Sequence, residues 1–143
     1  MWFLDVFFGL LLLPASIADS LVQDNQTFNI EEKTIQNKTF KVYIADNPSR
    51  QKQGFKYKKV KENEAMLFNF SVNTLRAFWM KDTVSALDIV FLDKNYQIKN
   101  IVKNAKPCSL FCKPYFGVGK YVIEFKAGVS DKLGLKKGQK IVL

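Results

Sequence analysis

Short runs of alternating apolar and polar residues, separated by closely spaced turn signals, constrain the fold of this chain most strongly. They occupy residues 27–30, 39–44, 65–70, 77–80, 87–92, 97–102, 121–125 and 140–142. A period of two is typical of strands with one buried face. The gaps are too short for repeated helical crossovers, which argues against a parallel α/β sheet. The pattern predicts a mainly β fold, a small β-sandwich or barrel-like domain of seven or eight short strands.

One or two short helices are expected among these strands. Asn47 has a side chain suited to a helix N-cap, and Pro48 suits the first helical position. Gly54 suits the helix end. A second helical turn is expected within residues 128–135. The turn-forming residues 93–95 join two strand-like runs, which predicts a hairpin.

Residues 1–18 have the pattern of a cleavable signal peptide. The apolar run 6–13 is followed by a proline, and the small residues Ser16 and Ala18 suit a cut before Asp19. This run is shorter than the roughly 20 apolar residues that a membrane span needs. However, the segment lacks the usual Lys or Arg, so an uncleaved anchor remains the alternative.

The rest of the chain divides into a short leader and one domain. Residues 19–26 are polar and predict a flexible leader, and residues 27–143 predict a single domain. With 48% apolar residues and 13 Phe, that domain can fill one hydrophobic core. The signal pattern predicts export to the periplasm, the cell envelope or the exterior. Membrane contact is expected only if the N-terminal segment is retained.

The net charge and the amino-acid composition limit the classes of function that this chain can have. The formal net charge is +9, which favours anionic polymers, acidic lipids or acidic partners, although scattered lysines also fit mere solubility. The chain has no His, which excludes Ser-His-Asp and Cys-His catalysis and the usual zinc, copper and non-haem iron sites. We expect no metal and no cofactor. We also expect no nucleic-acid partner, because no recognition motif is present.

Two cysteines, Cys108 and Cys112, lie four positions apart. In an exported protein such a pair is most simply a disulfide that shapes a loop. A reduced pair and a redox pair are the alternatives, although three intervening residues differ from the two of thiol-oxidoreductase motifs. A metal site is disfavoured because two thiolates alone leave it half filled.

Ordered motifs extend along most of residues 40–142. They comprise Arg50, Gly54, residues 66–68, 78–83 and 87–91, Pro107-Cys108, residues 121–124, Ala127-Gly128 and residues 134–138. In this order they resemble the domain of unknown function 192 family, which occurs in bacteria and archaea and is often exported. The resemblance implies a mainly β, sandwich-like fold and no established activity.

The chain departs from the family pattern at several positions. Asp82 stands where the family has Asn, Phe55-Lys56 where it has Leu-Met, Ala86 where it has Pro, and Gln139 where it has Asp. The change at Asp82 matters most, because an amide donates and accepts hydrogen bonds whereas a carboxylate only accepts. A ligand contact made by that amide in relatives is therefore expected to differ here.

Six residues form the predicted ligand-binding set: Arg50, Trp79, Lys81, Asp82, Thr83 and Asp88. Trp79 is either a core residue or a platform on which a sugar or peptide stacks. Lys81 to Thr83 follow a strand, where binding groups are common, or they form a turn that satisfies its own backbone. Arg50 is either a surface charge on the predicted helix or an anion contact.

Two acids interrupt apolar runs in predicted strands. Asp88 lies between Leu87 and Ile89, and Glu124 has the same setting in its own strand. Asp88 either faces solvent or forms an inward ion pair with Arg50, Arg76 or Lys81, which would mark a site. Converging carboxylates could also hydrolyse a glycosidic bond.

These residues support two hypotheses. The leading one is an exported, non-catalytic binding or accessory module of the cell envelope, which engages an anionic or carbohydrate-like ligand or a protein partner. The alternative is a small hydrolase or lyase that uses Asp88 with Asp82 or Glu124. The positions of the three carboxylates distinguish the two hypotheses.

Overall fold

The computed structural model describes residues 27–143. Its six strands are β1 Asn29–Ile35, β2 Lys38–Ala45, β3 Glu64–Phe78, β4 Leu87–Leu92, β5 Ile98–Ala105 and β6 Tyr115–Lys126. Its helices are α1 Pro48–Gln53 and α2 Val129–Lys132. The predicted signal peptide, its cleavage position and the leader lie outside the described residues.

All six strands belong to one mixed sheet with the order β1-β2-β3-β6-β4-β5. Strands β2 and β3 run parallel, and the other neighbouring pairs are antiparallel. The predicted mainly β class is confirmed, as is the β4–β5 hairpin. The strands form a single open sheet with short helices on its faces. None of the helices within residues 27–143 is long and apolar enough to cross a membrane.

Strand β3 contains most of two runs, residues 65–70 and 77–80, that the sequence pattern predicted as separate strands. Residues 71–75 between those runs are exposed, so their sequence does not show the alternation of apolar and polar residues that identifies a strand with one buried face. The pairing of β3 with β6 is irregular between Asn69 and Thr74 and then resumes. At the C-terminus, the predicted last strand makes only one isolated bridge, from Lys140 to Gln97.

Helix α1 has the predicted termini. The Asn47 side chain accepts a hydrogen bond from the backbone N–H of Arg50 at 2.9 Å, which satisfies a free donor of the first turn. Pro48 occupies the first turn, where its missing N–H costs nothing. Gly54 ends the helix with a φ of 52°, which a residue without Cβ adopts easily.

The sheet separates two apolar clusters, which we call the α1 face and the α2 face. The α1 face includes Phe55, Met66, Phe68, Leu87, Ile89, Phe91 and Val122. The α2 face includes Leu67, Val90, Leu92, Ile123, Phe125, Val129, Leu135 and Ile141. Successive strand residues point to opposite faces, so Glu124 shares the α1 face with Val122. Asp88 shares the α2 face with Phe125, its partner in the register.

Candidate functional site

A cavity of about 830 Å³ opens on the α1 face. Its walls come from α1 and the following turn, the second half of β3, the segment after β3, and the loop closed by the cysteines. Its lining residues are Gln51, Lys52, Gln53, Gly54, Phe55, Lys56, Phe68, Phe70, Leu75, Arg76, Ala77, Phe78, Trp79, Lys81, Thr83, Ser109, Leu110, Phe111, Cys112 and Glu124. This is the size range of pockets that hold small organic molecules.

Aromatic rings form much of the wall. Phe78 packs edge to face against Phe68 and Phe70, with ring centroids 5.0 Å and 6.3 Å away. These contacts fix the rings in the geometry that aromatic pairs prefer. Trp79 also lines the cavity, and 56% of its surface is exposed. It therefore lies at the mouth, where its ring can contact a ligand.

Apolar side chains also surround the mouth. Leu75, Leu110 and Phe111 line the cavity, yet 61%, 73% and 92% of their respective surfaces are exposed. Contiguous exposed apolar side chains on a folded domain mark a surface that contacts another molecule. The mouth therefore combines the properties of a ligand entrance with those of a contact surface.

Four basic side chains line the same cavity: Lys52, Lys56, Arg76 and Lys81. Within residues 27–143, none of them takes part in an ion pair. The Arg76 guanidinium lies 3.9 Å from the centre of the Phe70 ring, and its Nε donates to the Gly119 carbonyl at 3.2 Å. The cavity therefore has a positive potential that favours an anionic group.

Glu124 is the one acid among these lining residues of the described chain. It lies in the middle of the sheet, between Met66 of β3 and Ile89 of β4 in the register. Only 5% of its surface is exposed, and its buried Oε2 has no hydrogen-bond partner within residues 27–143. Burial raises the pKa of Glu124 to about 8, so the carboxyl is mostly protonated at neutral pH.

Thr83 adds a second polar group to the lining. It is buried, and its backbone N–H donates to the Met80 carbonyl at 3.1 Å. A hydroxyl can donate and accept, so it can serve either kind of ligand group.

The predicted disulfide between Cys108 and Cys112 is confirmed. Cys108 is also joined to the segment after β3, because it accepts from the Asp82 N–H at 3.1 Å and donates to the Met80 carbonyl at 3.3 Å. The bond closes a small loop whose residues Leu110 and Phe111 line the cavity. Its structural role is therefore to hold one wall of the cavity beside Trp79.

Three of the six predicted binding residues line the cavity: Trp79, Lys81 and Thr83. Asp82 is not among the lining residues. It adopts a φ of 61° and uses its backbone to bond Cys108 and Tyr57. Asn and Asp tolerate this left-handed conformation better than most residues. The exchange of the family's Asn for Asp82 is therefore compatible with a conformational role at this turn.

Arg50 is also absent from the lining. Its guanidinium forms an ion pair with Asp46 at 2.9 Å and donates to the Thr27 carbonyl at 3.0 Å. These contacts tie α1 to the segment before β1. The structure thus gives Arg50 partners within the chain and does not bring it to the other predicted residues.

Asp88 lies on the opposite side of the sheet. Its Oδ1 accepts from the Asn104 N–H at 2.9 Å. Its Oδ2 accepts from the N–H groups of Gly128 and Ser130 and from the Ser130 hydroxyl, at 2.9, 3.0 and 2.7 Å. These bonds join α2 to the sheet. Asp88 and Glu124 do not converge, because they extend from opposite faces.

Several lining residues were not predicted as binding residues. Lys52 and Lys56 gave no signal beyond the general basic charge, and the sequence suggested Arg76 only as an ion-pair partner of Asp88. Glu124 carried a signal, an acid inside an apolar strand, but the sequence placed it only among acid–base candidates. The Phe residues were expected in the core, and the long β3 brings the rings of Phe68, Phe70 and Phe78 to the cavity.

The family of this chain follows from comparison with known proteins. A family model described as DUF192, Uncharacterized ACR, matches residues 30–143. The chain belongs to this family. The predicted family resemblance is thereby confirmed over nearly all of the described residues. None of the curated proteins matches the chain.

Two solved structures share the DUF192 chain's fold. One is a protein of unknown function from Novosphingobium aromaticivorans, with 27% identity, a TM-score of 0.72, and coverage of 83% of this chain and 89% of that one. The other is from Sinorhizobium meliloti and is described as a candidate transcription regulator. It has 28% identity, a TM-score of 0.68, and coverage of 81% and 95%.

Proposed function

We propose that this DUF192 protein is an exported, non-catalytic binding module of the cell envelope. It holds an anionic ligand with an apolar or sugar-like ring face in the cavity of the α1 face. The observation that carries the proposal is one cavity with aromatic walls, a buried polar floor and four basic side chains without acidic partners in the described chain.

Charge and shape favour such a ligand together. Lys52, Lys56, Arg76 and Lys81 attract a carboxylate or phosphate. The Nε and one terminal nitrogen of Arg76 already donate to the Gly119 and Val72 carbonyls, and its remaining N–H groups can donate to the anion. The faces of Trp79 and the neighbouring rings suit a flat or ring-shaped body. A carboxylated sugar or an aromatic acid combines both features, and an acidic side chain of a protein partner offers the same anion.

The non-catalytic character is supported by the separation of the carboxylates. Glycoside hydrolysis needs two carboxyl groups on either side of one bond. Asp88 extends from the α2 face, and Asp82 does not line the cavity. Glu124 therefore has neither of its predicted acidic partners beside it. A binding function requires no such partner.

Export is supported by two observations. Residues 1–18 have the signal-peptide pattern, and the disulfide fits an oxidising compartment. The full chain, expressed in a bacterium with its own N-terminus, should be recovered outside the cytoplasm with Asp19 as its first residue. Recovery in the cytoplasm with the N-terminal segment intact would contradict export and leave the binding proposal to be judged separately.

Binding can be followed by the fluorescence of Trp79, the one Trp in residues 19–143. A panel of uronic acids, phenylpropionates and their neutral amides should show binding of the acids and weaker binding of the amides. The variant K52A/K81A should lose about tenfold or more in affinity, because two cationic contacts are removed.

The matched control is K94A/K137A, since neither of these exposed lysines lines the cavity. It should bind like the wild type. Equal losses in both double variants would mean that only net charge matters and would overturn the cavity as the site. Duplex DNA serves as a polyanion control, because one structural relative is described as a candidate transcription regulator.

A further inference from the structure

We infer that Glu124 contacts the ligand directly as a neutral carboxyl, donating a hydrogen bond to an uncharged oxygen at the inner end of an anionic ligand. This inference rests on the proposed binding function and specifies its ligand. The ligand then has three parts: an anionic end at the basic residues, an apolar or ring-shaped middle, and at the floor a carbonyl or ether oxygen, which only accepts hydrogen bonds.

The first support is the missing partner of Glu124. Two other acids of the sheet are buried and well satisfied. Asp88 accepts four hydrogen bonds, and Glu64 bonds the Lys58 ammonium, the Lys61 N–H and the Tyr43 hydroxyl at 3.0–3.1 Å. A buried polar atom without a partner costs about 1–3 kcal/mol. Within residues 27–143, two buried side-chain atoms have no hydrogen-bond partner, Arg50 Nε and Glu124 Oε2, and of the two residues only Glu124 lines the cavity.

The second support is the surroundings of Glu124. Its flanking partners in β3 and β4 are the apolar Met66 and Ile89. The charged groups that line the cavity are all cationic: α1 and its following turn contribute Lys52 and Lys56, β3 contributes Arg76, and the segment after β3 contributes Lys81. The cysteine loop contributes uncharged residues, Ser109, Leu110, Phe111 and Cys112. None of these cations bonds Glu124.

Burial alone raises the pKa of the Glu124 carboxyl to about 8, with no contribution from a neighbouring charge. The protonated form is therefore the resident form at neutral pH. A protonated carboxyl has one O–H donor, which suits an oxygen acceptor of the ligand. A cationic ligand group could instead ionise Glu124, but it would have to pass four basic side chains.

The direction of the pH dependence follows from this hydrogen bond. The bound state needs the proton on Glu124, so affinity should be constant below the pKa of about 8. Above it, affinity should fall by up to about tenfold per pH unit as the carboxyl ionises. A cationic inner group would give the opposite slope, because its affinity would rise with ionisation.

Three para-substituted phenylpropionates test the inference, carrying an acetyl, an isopropyl or an aminomethyl group. They share the anionic end and the ring, have similar size, and differ only at the inner end, where the acetyl oxygen can only accept a hydrogen bond. Binding to residues 19–143 is measured by calorimetry at about pH 6 and about pH 9. The acetyl compound should bind about fivefold to tenfold more tightly than the isopropyl compound at the lower pH, and this preference should disappear at the higher pH, where an ionised Glu124 has no proton to donate.

The variant E124Q separates a ligand contact from a structural role. Its amide keeps a donor at every pH, so the preference for the acetyl compound should persist at both pH values. E124M, which has similar volume and no donor, should show no preference at either pH. Since both replacements suit a buried position, folding is checked by the thermal transition of each variant.

The outcomes are distinct. Equal affinities of the acetyl and isopropyl compounds in the wild type would overturn the role of Glu124 and leave the anion-binding function intact. Tightest binding of the aminomethyl compound, increasing with pH, would overturn the neutral-acceptor ligand. Absence of binding by all three phenylpropionates and by the uronic acids would overturn the proposed function itself, and the inference with it.

Discussion

Asp88 and Glu124 are buried on opposite faces of the sheet, and their carboxyl groups differ in how they are hydrogen-bonded. On the α2 face, Asp88 is 1% exposed and accepts four hydrogen bonds. On the α1 face, Glu124 is 5% exposed, and its Oε2 has no partner in the described chain. The first face is completed by α2, which brings its N–H groups to Asp88. The second face is left open as a cavity.

The difference shows which carboxyl serves the fold and which is available for function. Donors that satisfy Asp88 stabilise α2 against the sheet, so its removal should affect folding. Glu124 contributes no comparable contact, and its burial is unfavourable when it is charged. A buried carboxyl group without a hydrogen-bond partner lowers the stability of the fold, and such groups are common in binding or reactive sites.

Asp88→Ala should have the largest effect on stability. The change leaves the N–H groups of Asn104, Gly128 and Ser130 without their acceptor, and it should lower the free energy of unfolding by about 4 kcal/mol. Urea unfolding measures this. The control is Asp131→Ala, an exposed acid paired with Lys103, which should cost less than about 1 kcal/mol. Similar losses in both variants would remove the distinction between the two faces.

The sequence predicted most of the strands because their alternation is local. It did not predict β3 as one strand, since residues 71–75 are exposed and interrupt the period. It also could not place the two acids. Leu87-Asp88-Ile89 and Ile123-Glu124-Phe125 are the same pattern, and only the packing of α2 against one face distinguishes them.

The site was predictable where its residues are neighbours in the chain. Trp79, Lys81 and Thr83 fall within one short segment after β3, so the rule that loops following strands carry binding groups found them. Arg76 and Glu124 come from paired strands whose register no local pattern encodes. The cavity depends on that register and on the position of α1.

Glu124→Gln should have the second largest effect, and the effect should depend on pH. The pKa of Glu124 is about 8 in the folded protein and near the ordinary 4.5 in the unfolded chain. The unfolded state therefore loses its proton first, and the wild type should lose stability as the pH rises from about 5 to about 8, by about 3 kcal/mol.

The Gln variant lacks this titration, so its stability should change less over the same range. Unfolding free energies of both proteins at several pH values give the difference. If the difference between the two proteins stays constant with pH, Glu124 is not a buried neutral acid.

The double variant C108S/C112S should have a smaller effect on stability and a clear effect on binding. Opening this short loop should lower stability by about 2 kcal/mol or less. Because Leu110 and Phe111 line the cavity, affinity for a phenylpropionate should fall about tenfold. Unchanged affinity would show that the loop closed by the cysteines does not contribute to the binding site. Asp88→Asn, which perturbs the other face, is the comparison for indirect effects.

Trp79→Ala should have the smallest effect on stability, less than about 0.5 kcal/mol, because the side chain is largely exposed. Affinity for a ring-containing acid should nevertheless fall about tenfold, and Trp79→Phe should recover most of it. Calorimetric titration and thermal unfolding give the two quantities. A large loss of stability with no loss of affinity would assign Trp79 to the core.

The most direct test is an NMR titration of the Glu124 side-chain carboxyl carbon in residues 19–143, with Glu124→Gln used to assign the signal. The account predicts a titration near pH 8 in the free protein and a shift of the signal when the acetyl phenylpropionate binds. A titration near the ordinary Glu value of 4.5, with no response to the ligand, would contradict the account.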